Sequence, residues 1–558
     1  MAVARREVHG RVRRGEVARL LPVAAVAAAL AWTFVLLTIP DHADVSRAAA
    51  TTIVVAAPSP AAMARLGPAT QFGSRRLKLP QAQVTIASRA GVLRVPHSFF
   101  GLSTEYWALP LYGRHISLFE RVLTLVQARG AGPLVLRIGG DSADHTFWDP
   151  KLRRAPPWVF KLTPAWLRQT STIVHRVRAR LILDLNLVTG SPSMAAKWAR
   201  AAETGLPHRS IVGFEVGNEP DIYSRPFWRA ITSREMLHSR VLPSDISANS
   251  YTQAFQSYAH VLAQVAPSLP LAGPALADPG VNSSWISHLL GSAHPGLGMV
   301  SAHRYPYSAC VGPSSASFPT IARLLSENAS KGMAQTVSAS VRLAHRAGLP
   351  FRMTELNSVT CGGRAGVSDS FATALWAPDA LFELLRAGVD AVNLHIRANP
   401  INAPFTLSGY GLRARPLLYG LILFARTLGP DPQLIHVQLR AKRSRHLKVW
   451  AVRVRGDALH VLLINKSDHP SRVDLQLPAK GPATVQRLLA PAISSRSGVT
   501  LDGQQLGRDG SWQGRSARQT ITPDVHGYQL TIPPFSAALV RARLRPGALA
   551  LNSGLGHG

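Results

Sequence analysis

Cysteine is almost missing from this chain of 558 residues: Cys310 and Cys361 are the whole complement. No CxxC pair and no paired-His spacing accompanies them, which argues against a bound metal, and no cofactor motif is read either. Acidic residues are scarce as well, 30 Asp and Glu against 62 Lys and Arg, for a net charge of +32. Such an excess suggests an acidic partner: nucleic acid, an anionic membrane surface or a polyanionic glycan. A second origin is compositional, because Arg far outnumbers Lys and Ala is abundant, as a GC-rich coding sequence produces. A nucleic-acid binder needs a clustered basic face with aromatic platforms. Here the charge is dispersed along the chain, so no nucleic-acid partner is expected. The densest basic stretch, Arg440 to His446, leads into the alternating run Leu447 to Arg455, the pattern of a half-buried strand with a charged outer face. No internal repeat is evident.

Long hydrophobic runs are confined to the N-terminus. Six Arg fall within the first 19 residues, followed by a largely apolar run from Leu20 to Ile39 and then Pro40-Asp41. This has the form of an export signal or a retained membrane anchor, so residues 1–40 are read as one or the other. Twenty apolar residues suffice to cross a bilayer, which favours an anchor with its basic end in the cytoplasm, while Ala48-Ala49-Ala50 leaves cleavage open. Residues 41–79 are rich in Ala, Pro and Ser and suggest a flexible linker. Beyond them the texture is that of a globular protein, with 46% hydrophobic residues. Two folded domains and a tail are the expectation for this length.

Against so few acids, two glutamates stand out by position. Glu219 lies in Gly217-Asn218-Glu219-Pro220 and Glu355 in Met353-Thr354-Glu355-Leu356-Asn357, each at the end of a short apolar run of strand type. Eight such runs occur in order: Phe99 to Ser103, Leu134 to Ile138, Leu181 to Leu187, Ile211 to Val216, Leu269 to Gly273, Met299 to Ala302, Pro350 to Thr354 and Ala391 to Leu394. Stretches of helical periodicity, such as Leu118 to Ala128 and Phe371 to Ala387, lie between most of them. Alternating units of this number predict a (β/α)₈ TIM barrel over 98–430. Glu219 then follows the fourth strand and Glu355 the seventh, and both converge on the C-terminal mouth. One carboxyl can protonate a leaving oxygen there while the other attacks a sugar. After Pro430-Asp431-Pro432, short alternating runs separated by Gly, Asp and Pro turns predict an all-β sandwich over 431–545, with a tail at 546–558. Residues 80–97 alternate too, turn at Ala90-Gly91, and are read as strands joining that sandwich. The cysteines follow predicted strands six and seven, where an exported protein would join them in a disulfide; two free buried thiols are the other reading.

The motifs Arg137-Ile-Gly-Gly-Asp-Ser-Ala-Asp144, Val216-Gly-Asn-Glu-Pro220, His303-Arg-Tyr305, Glu355 to Gly363, Val367 to Phe371 and Arg415 to Gly420 together resemble family 79 of the glycoside hydrolases, the heparanase and β-glucuronidase family. The likeness covers about 95–545. It implies that Glu219 is the general acid/base and Glu355 the nucleophile of a retaining mechanism. It places Asn218 at the sugar 2-hydroxyl, and the Cys361-Gly362-Gly363 turn with Tyr305 and Tyr410 at a uronate carboxylate. Glu105, Asp141, Asp144 and Asp278 lie in loops that meet sugar hydroxyls in such proteins. Arg137 is expected to brace the nucleophile carboxylate. Trp107, Trp148 and Tyr106 are candidates for stacking on a sugar face, or for core.

The expected partner is a carbohydrate, an acidic glycan or glucuronide, with a membrane contact if the N-terminal segment is uncleaved. Two other readings keep the fold: a neutral-sugar glycosidase of β-glucosidase or xylosidase type, and a non-catalytic surface glycan-binding protein.

Overall fold

The structure, a computed structural model, describes residues 81–87, 91–149, 159–225, 246–397, 400–441 and 446–548. The expected signal or anchor at 1–40 and the linker at 41–79 lie outside the described residues. Among those described, no helix is long and apolar enough to cross a membrane.

Eight parallel strands close into a barrel: β1 (Phe100–Glu105), β2 (Val135–Gly139), β3 (Arg180–Leu185), β4 (Ile211–Val216), β5 (Leu271–Leu276), β6 (Leu297–Arg304), β7 (Phe351–Leu356) and β8 (Ala391–His395). They follow one another in chain order around the barrel, and β8 pairs back onto β1. Each of the eight apolar runs becomes a strand. The largest displacement is at β5, where Gly273-Pro274 reads as punctuation but sits inside the strand. There the ladder steps from Ser301–Pro274 to Ala302–Leu276, and the skipped residue, Ala275, takes a left-handed φ of 52°. Similar register breaks fall at the mouth ends of β6 and β7, beside His303 and Glu355.

Helices cover the barrel, started by residues suited to the task. Thr163 and Ser191 accept backbone N–H bonds from Trp166 and Met194, and Pro164 and Pro192 open their helices without leaving a donor unmet. The helix Ala372–Arg386 is unusual in being buried on every side up to Leu385. It lies between the barrel and the β domain, and falls where the helical periodicity of Phe371 to Ala387 placed it.

Two sheets form the sandwich. The larger runs in the order Val92–Arg94, Gln433–Ile435, Leu447–Val454, Ala458–Asn465, Ser536–Leu544, Ala479–Leu489 and Thr500–Leu501, with Gln519–Ile521 pairing at its side. The smaller runs Gln438–Ala441, Gln81–Thr85, Ser471–Gln476, Tyr528–Ile532. The segment before the barrel thus lends one strand to each sheet. Along Ala458–Asn465 the two faces divide strictly: Leu459, Val461 and Leu463 join the core between the sheets, and Leu462 and Ile464 join the barrel's core. That double burial makes the strand an almost continuous apolar run.

A buried charge pair fastens the two domains. Lys466 Nζ lies 2.6 Å from Asp379 Oδ2, Trp450 donates its indole N–H to Asp379 Oδ1 at 3.0 Å, and Lys448 bridges Glu327 and Glu383 alongside. Burial would raise the Asp379 carboxyl, yet the Lys466 and Lys448 ammonium groups outweigh it and hold the carboxyl below its usual range. Stabilisation from this pair is therefore full above about pH 4 and fades as pH falls through the depressed folded value. Lys466→Met should cost about 3–5 kcal/mol in urea unfolding near neutral pH, because it strips a buried carboxylate of its main partner, and should flatten the loss of stability in acid.

Candidate active site

Arg137, on β2, is wholly buried and spends its guanidinium on five side chains, the longest contact being Nη1 to Ser103 Oγ at 3.4 Å. Its Nε donates to Glu215 at 2.7 Å, Nη2 to Asp184 at 2.8 Å and to Asn218 Oδ1 at 2.9 Å, and Nη1 to Glu355 Oε2 at 2.9 Å. Burial alone would lower its pKa. The carboxylates of Glu215, Asp184 and Glu355 outweigh burial and raise it, so the charge is permanent. Strand alternation explains the arrangement, since Arg137, Asp184 and Glu215 are inward positions on three adjacent strands.

Glu219 is placed by a kinked backbone. Gly217 has φ 81° and packs so closely on Leu187 that a Cβ would lie 2.5 Å from it. Glu219 itself is left-handed, φ 56°, with its N–H donated to Ala275 O at 3.0 Å. Between them, Asn218 donates its N–H to the Tyr223 hydroxyl at 3.2 Å, and that hydroxyl donates to Asp144 Oδ2 at 2.6 Å. Asp144 is therefore a buried strut under the turn, its carboxyl pushed up to about 7 by burial. Because Arg137 claims Asn218 Oδ1, the amide must present its NH₂ elsewhere.

Glu355 ends β7 and is 8% exposed. The Tyr305 hydroxyl donates to its Oε1 at 2.7 Å, and His395 Nδ1 lies 3.3 Å from its Oε2. Oxygens of Glu219 and Glu355 and a ring nitrogen of His303 all fall within 4.8 Å of one another. His303 Nδ1 sits 3.0 Å from Glu219 Oε1. The trio has the donor types of a metal site. His303 Nδ1 and Glu219 Oε1 already face each other, however, and the Arg137 charge on Glu355 opposes an added cation.

The environments drive the two carboxyls apart. Burial first, then the charges of Glu355, Asp141 and Asp221, raise Glu219 well above the ordinary range, with Arg137 opposing. Burial would raise Glu355 too, but His395, His303, Arg137 and the Tyr305 hydrogen bond outweigh it and draw the carboxyl down to about 2. Burial also holds His303 down to about 4, leaving it neutral near pH 7. Arg137 is thus the pull on Glu355 that does not titrate away.

Around this pair the mouth carries Glu105 at the end of β1, Asp141 in the turn after β2, and His395 and Arg397 at the end of β8. Cys310 and Cys361 form a disulfide, Cα atoms 6.0 Å apart, just past a two-residue parallel ladder of Tyr307–Ser308 with Val359–Thr360. In the turn that follows, Cys361, Gly362 and Gly363 take φ of 56°, 76° and 94°. Gly363 is packed against Asn402 and gives its N–H to Thr360 O, whereas a Cβ on Gly362 would meet only Pro400, at 3.8 Å.

Some expected residues stand apart from the cluster. Tyr410 is at a hairpin tip and 85% exposed. Asp278 pairs with Arg304 at 3.0 Å. Tyr106 is core, its hydroxyl donated to Asp184 O, and Trp148 packs on Trp198. Sequence reasoning did not single out His303, His395, Arg397, Tyr223, Asp184 or Glu215 as site residues. The usable signal for Asp184 and Glu215 was a lone acid inside an apolar strand, and for His395 a polar end to the eighth run.

A barrel with two glutamates at the ends of β4 and β7, followed by a β-sandwich, defines a glycoside hydrolase. Residues 449–539 match the glycosyl hydrolase family 79 C-terminal beta domain. A β-glucuronidase of Aspergillus niger is 24% identical over 527 residues, which span 80% of this chain and 91% of that one. Among solved structures, a 4-O-α-L-rhamnosyl-β-D-glucuronidase of Fusarium oxysporum 12S, in complex with Rha-GlcA, superposes with a TM-score of 0.68 at 17% identity, over 82% of this chain and 99% of that one. A family 51 arabinofuranosidase of Xanthomonas axonopodis pv. citri gives a TM-score of 0.62 at 13% identity, over 83% and 100%. The family 79 match lies in the C-terminal β domain, and the likeness to the A. niger β-glucuronidase extends over most of the chain.

Arg137→Lys should lower kcat/KM more than a hundredfold and destabilise the fold by about 3–5 kcal/mol, since an ammonium cannot serve Glu215, Asp184, Asn218 and Glu355 at once. Parallel kinetics and urea unfolding would measure both losses.

Proposed function

We propose that this chain is an exported retaining β-glycosidase that hydrolyses β-glucuronides or glucuronic-acid-containing glycans. The observation that carries the reading is the divergence of two carboxyls within 4.8 Å, one drawn down to about 2 and the other raised. A retaining pair needs about 5–5.5 Å between carboxyl groups, one ionised and one protonated. In this reading Glu219 gives its proton to the glycosidic oxygen as the bond to the anomeric carbon breaks, and a Glu355 oxygen bonds that carbon from the opposite face. Esterified Glu355 no longer carries the charge that raises Glu219, so the Glu219 carboxylate becomes a competent base. It takes a proton from water, whose oxygen displaces Glu355 and restores the original configuration. Asn218, with its carbonyl held by Arg137, offers its NH₂ to the 2-hydroxyl. A glycan-binding protein without catalysis has no use for so divergent a pair.

The A. niger and F. oxysporum relatives support a glucuronide as substrate. The open Gly362 backbone, held by the disulfide and the short ladder, suits a uronate carboxylate, because a residue without a side chain lets an anion approach the backbone closely. Export is supported by the basic, then apolar, N-terminus and by a disulfide of the kind that persists in oxidising compartments.

Glu355→Ala should abolish hydrolysis of every substrate. Glu219→Ala should spare aryl glycosides with good leaving groups and be partly rescued by azide with retention of configuration. Activity should fall as pH drops towards about 2, where Glu355 takes up a proton, and fall again as pH rises through the raised pKa of Glu219. Equal losses on activated and unactivated substrates, without rescue, would reverse the assignment.

The wild type should prefer an aryl β-glucuronide over the matching glucoside by roughly ten- to a hundredfold in kcat/KM, the worth of one charged hydrogen-bonded contact. A bulky residue at Gly362 should erase most of that ratio. Equal turnover of the two glycosides by the wild type would leave a neutral-sugar enzyme with the same catalytic pair.

A further inference from the structure

Away from the mouth, the fold gathers cations that are scattered in sequence. Strand Ser536–Leu544 turns Ala537 and Leu539 into the barrel's core, and further along the same face it carries Arg541 and Arg543. Lys480, on the neighbouring strand Ala479–Leu489, stands directly opposite Arg543, and like charges so placed cost stability. Both are exposed. Arg541 is half-buried, its Nη1 donating to Gln486 Oε1 at 2.7 Å and its Nη2 to the Arg426 carbonyl at 3.4 Å. The Arg426 guanidinium lies 4.8 Å from the centre of the Trp512 ring.

One buried acid serves this group. Asp502 Oδ2 accepts from Gln486 Nε2 at 3.0 Å and Ser516 Oγ at 2.9 Å and lies 3.5 Å from Arg518 Nη2, so it reaches Arg541 only through the Gln486 amide. Asp457, whose carbonyl accepts the Leu544 N–H, has its carboxylate 3.7 Å from Arg453. Among the described residues, no carboxylate comes within ion-pair distance of Arg426, Lys480, Arg541 or Arg543. Burial lowers Arg541 to about 10, with Arg426 and Arg518 adding to the fall and Asp502 opposing it.

Arg426 stands in the last turn of helix Pro416–Leu428, about 15 Å down the barrel's flank from the helix start at the mouth. Cations about 5 Å apart across strands and about 7 Å apart along them suit charges borne on an extended polymer. Nucleic-acid bases would find no free platform, since Trp512 has Arg426 over its ring and Tyr419 edge-on at 6.1 Å. No large exposed hydrophobic lies on these two strands or on the segment Asp502–Arg518 to enter a bilayer. An acidic polysaccharide needs neither, and the acids at the mouth give the rest of such a chain little to hold.

We propose that Lys480, Arg518, Arg541 and Arg543, with Arg426 behind them, form a non-catalytic docking site that holds an acidic polysaccharide by its carboxylates while the barrel mouth acts on it. The choice of polymer rests on the glycosidase reading above. The test measures binding of the full chain to hyaluronan, whose charge is glucuronate, by affinity electrophoresis with neutral dextran as control, beside kinetics on an aryl β-glucuronide. Wild type is compared with Lys480→Gln/Arg543→Gln and with the charge-keeping Lys480→Arg/Arg543→Lys, both positions being exposed and the fold therefore kept. The neutralised variant should bind hyaluronan about tenfold more weakly and with less dependence on salt, while kcat and KM for the aryl glycoside stay within about twofold. The charge-keeping variant should bind as the wild type does. Equal hyaluronan binding by the wild type and the neutralised variant would overturn the site, as would tighter binding of the wild type to single-stranded DNA or to phosphatidylserine vesicles. Hyaluronan binding that is lost on neutralisation, in a chain that hydrolyses no glycoside, would remove the glycosidase reading and leave the docking site standing.

Discussion

The site depends on one buried guanidinium. Arg137 joins four strands at once, taking Asp184 from β3, Glu215 from β4 and Glu355 from β7 while sitting on β2 itself. Three carboxylates in a barrel core would each carry a desolvation penalty of several kcal/mol without it. The same cation fixes the direction of Asn218 and keeps Glu355 ionised. It lowers the pKa of Glu219 as well, so the raised state of that acid requires the opposing charges of Glu355 and Asp141 and the burial of its carboxyl. Arg137 thus lowers both glutamates, and the difference between them comes from the charges of Glu355 and Asp141 on the one and from His395, His303 and the Tyr305 hydrogen bond on the other.

Backbone strain divides between the two catalytic candidates unequally. Glu355 sits on a regular strand end, beside a register break, whereas Glu219 occupies a left-handed conformation that L-residues adopt at a cost. Three bonds pin that turn: Glu219 N–H to Ala275, Asn218 N–H to Tyr223, and Tyr223 to Asp144. The bulge that gives Ala275 its own left-handed φ aims its carbonyl at Glu219, so the irregularity of β5 is part of the placement of a residue after β4.

This coupling explains what sequence could and could not convey. The barrel strands were legible because each buries both faces in a short apolar run, and the two glutamates because they terminate such runs. The sandwich was legible through alternation and turn residues. Hidden were the partners made by closure: His303, His395 and Arg397 come from strands or loops adjacent only after the barrel wraps, and of the three only His395 has a local mark, the polar end to the eighth run. Tyr410, placed at a carboxylate by resemblance, proves to be at an exposed hairpin tip. Helix Ala372–Arg386 was legible as a helix, but its burial on all sides was not, because both protein layers that cover it are brought there only by the fold.

Net charge misleads about the site in the same way. The chain carries +32, yet Glu105, Asp141, Asp184, Glu215, Glu219 and Glu355 outnumber Arg137 and Arg397 at the mouth and beneath it. A field of that sign at long range draws an anionic glycan in, falling off within about 8–10 Å at physiological salt. Inside that distance the acids govern orientation. A bound uronate must turn its carboxylate away from Glu105 and Asp141 on the β1 and β2 loops, and the backbone at Gly362, after β7, offers N–H groups without a carboxylate of its own. In the proposed reading hydroxyls would face the acids and the carboxylate the turn, an orientation set by local repulsion that the overall charge of the chain would not predict.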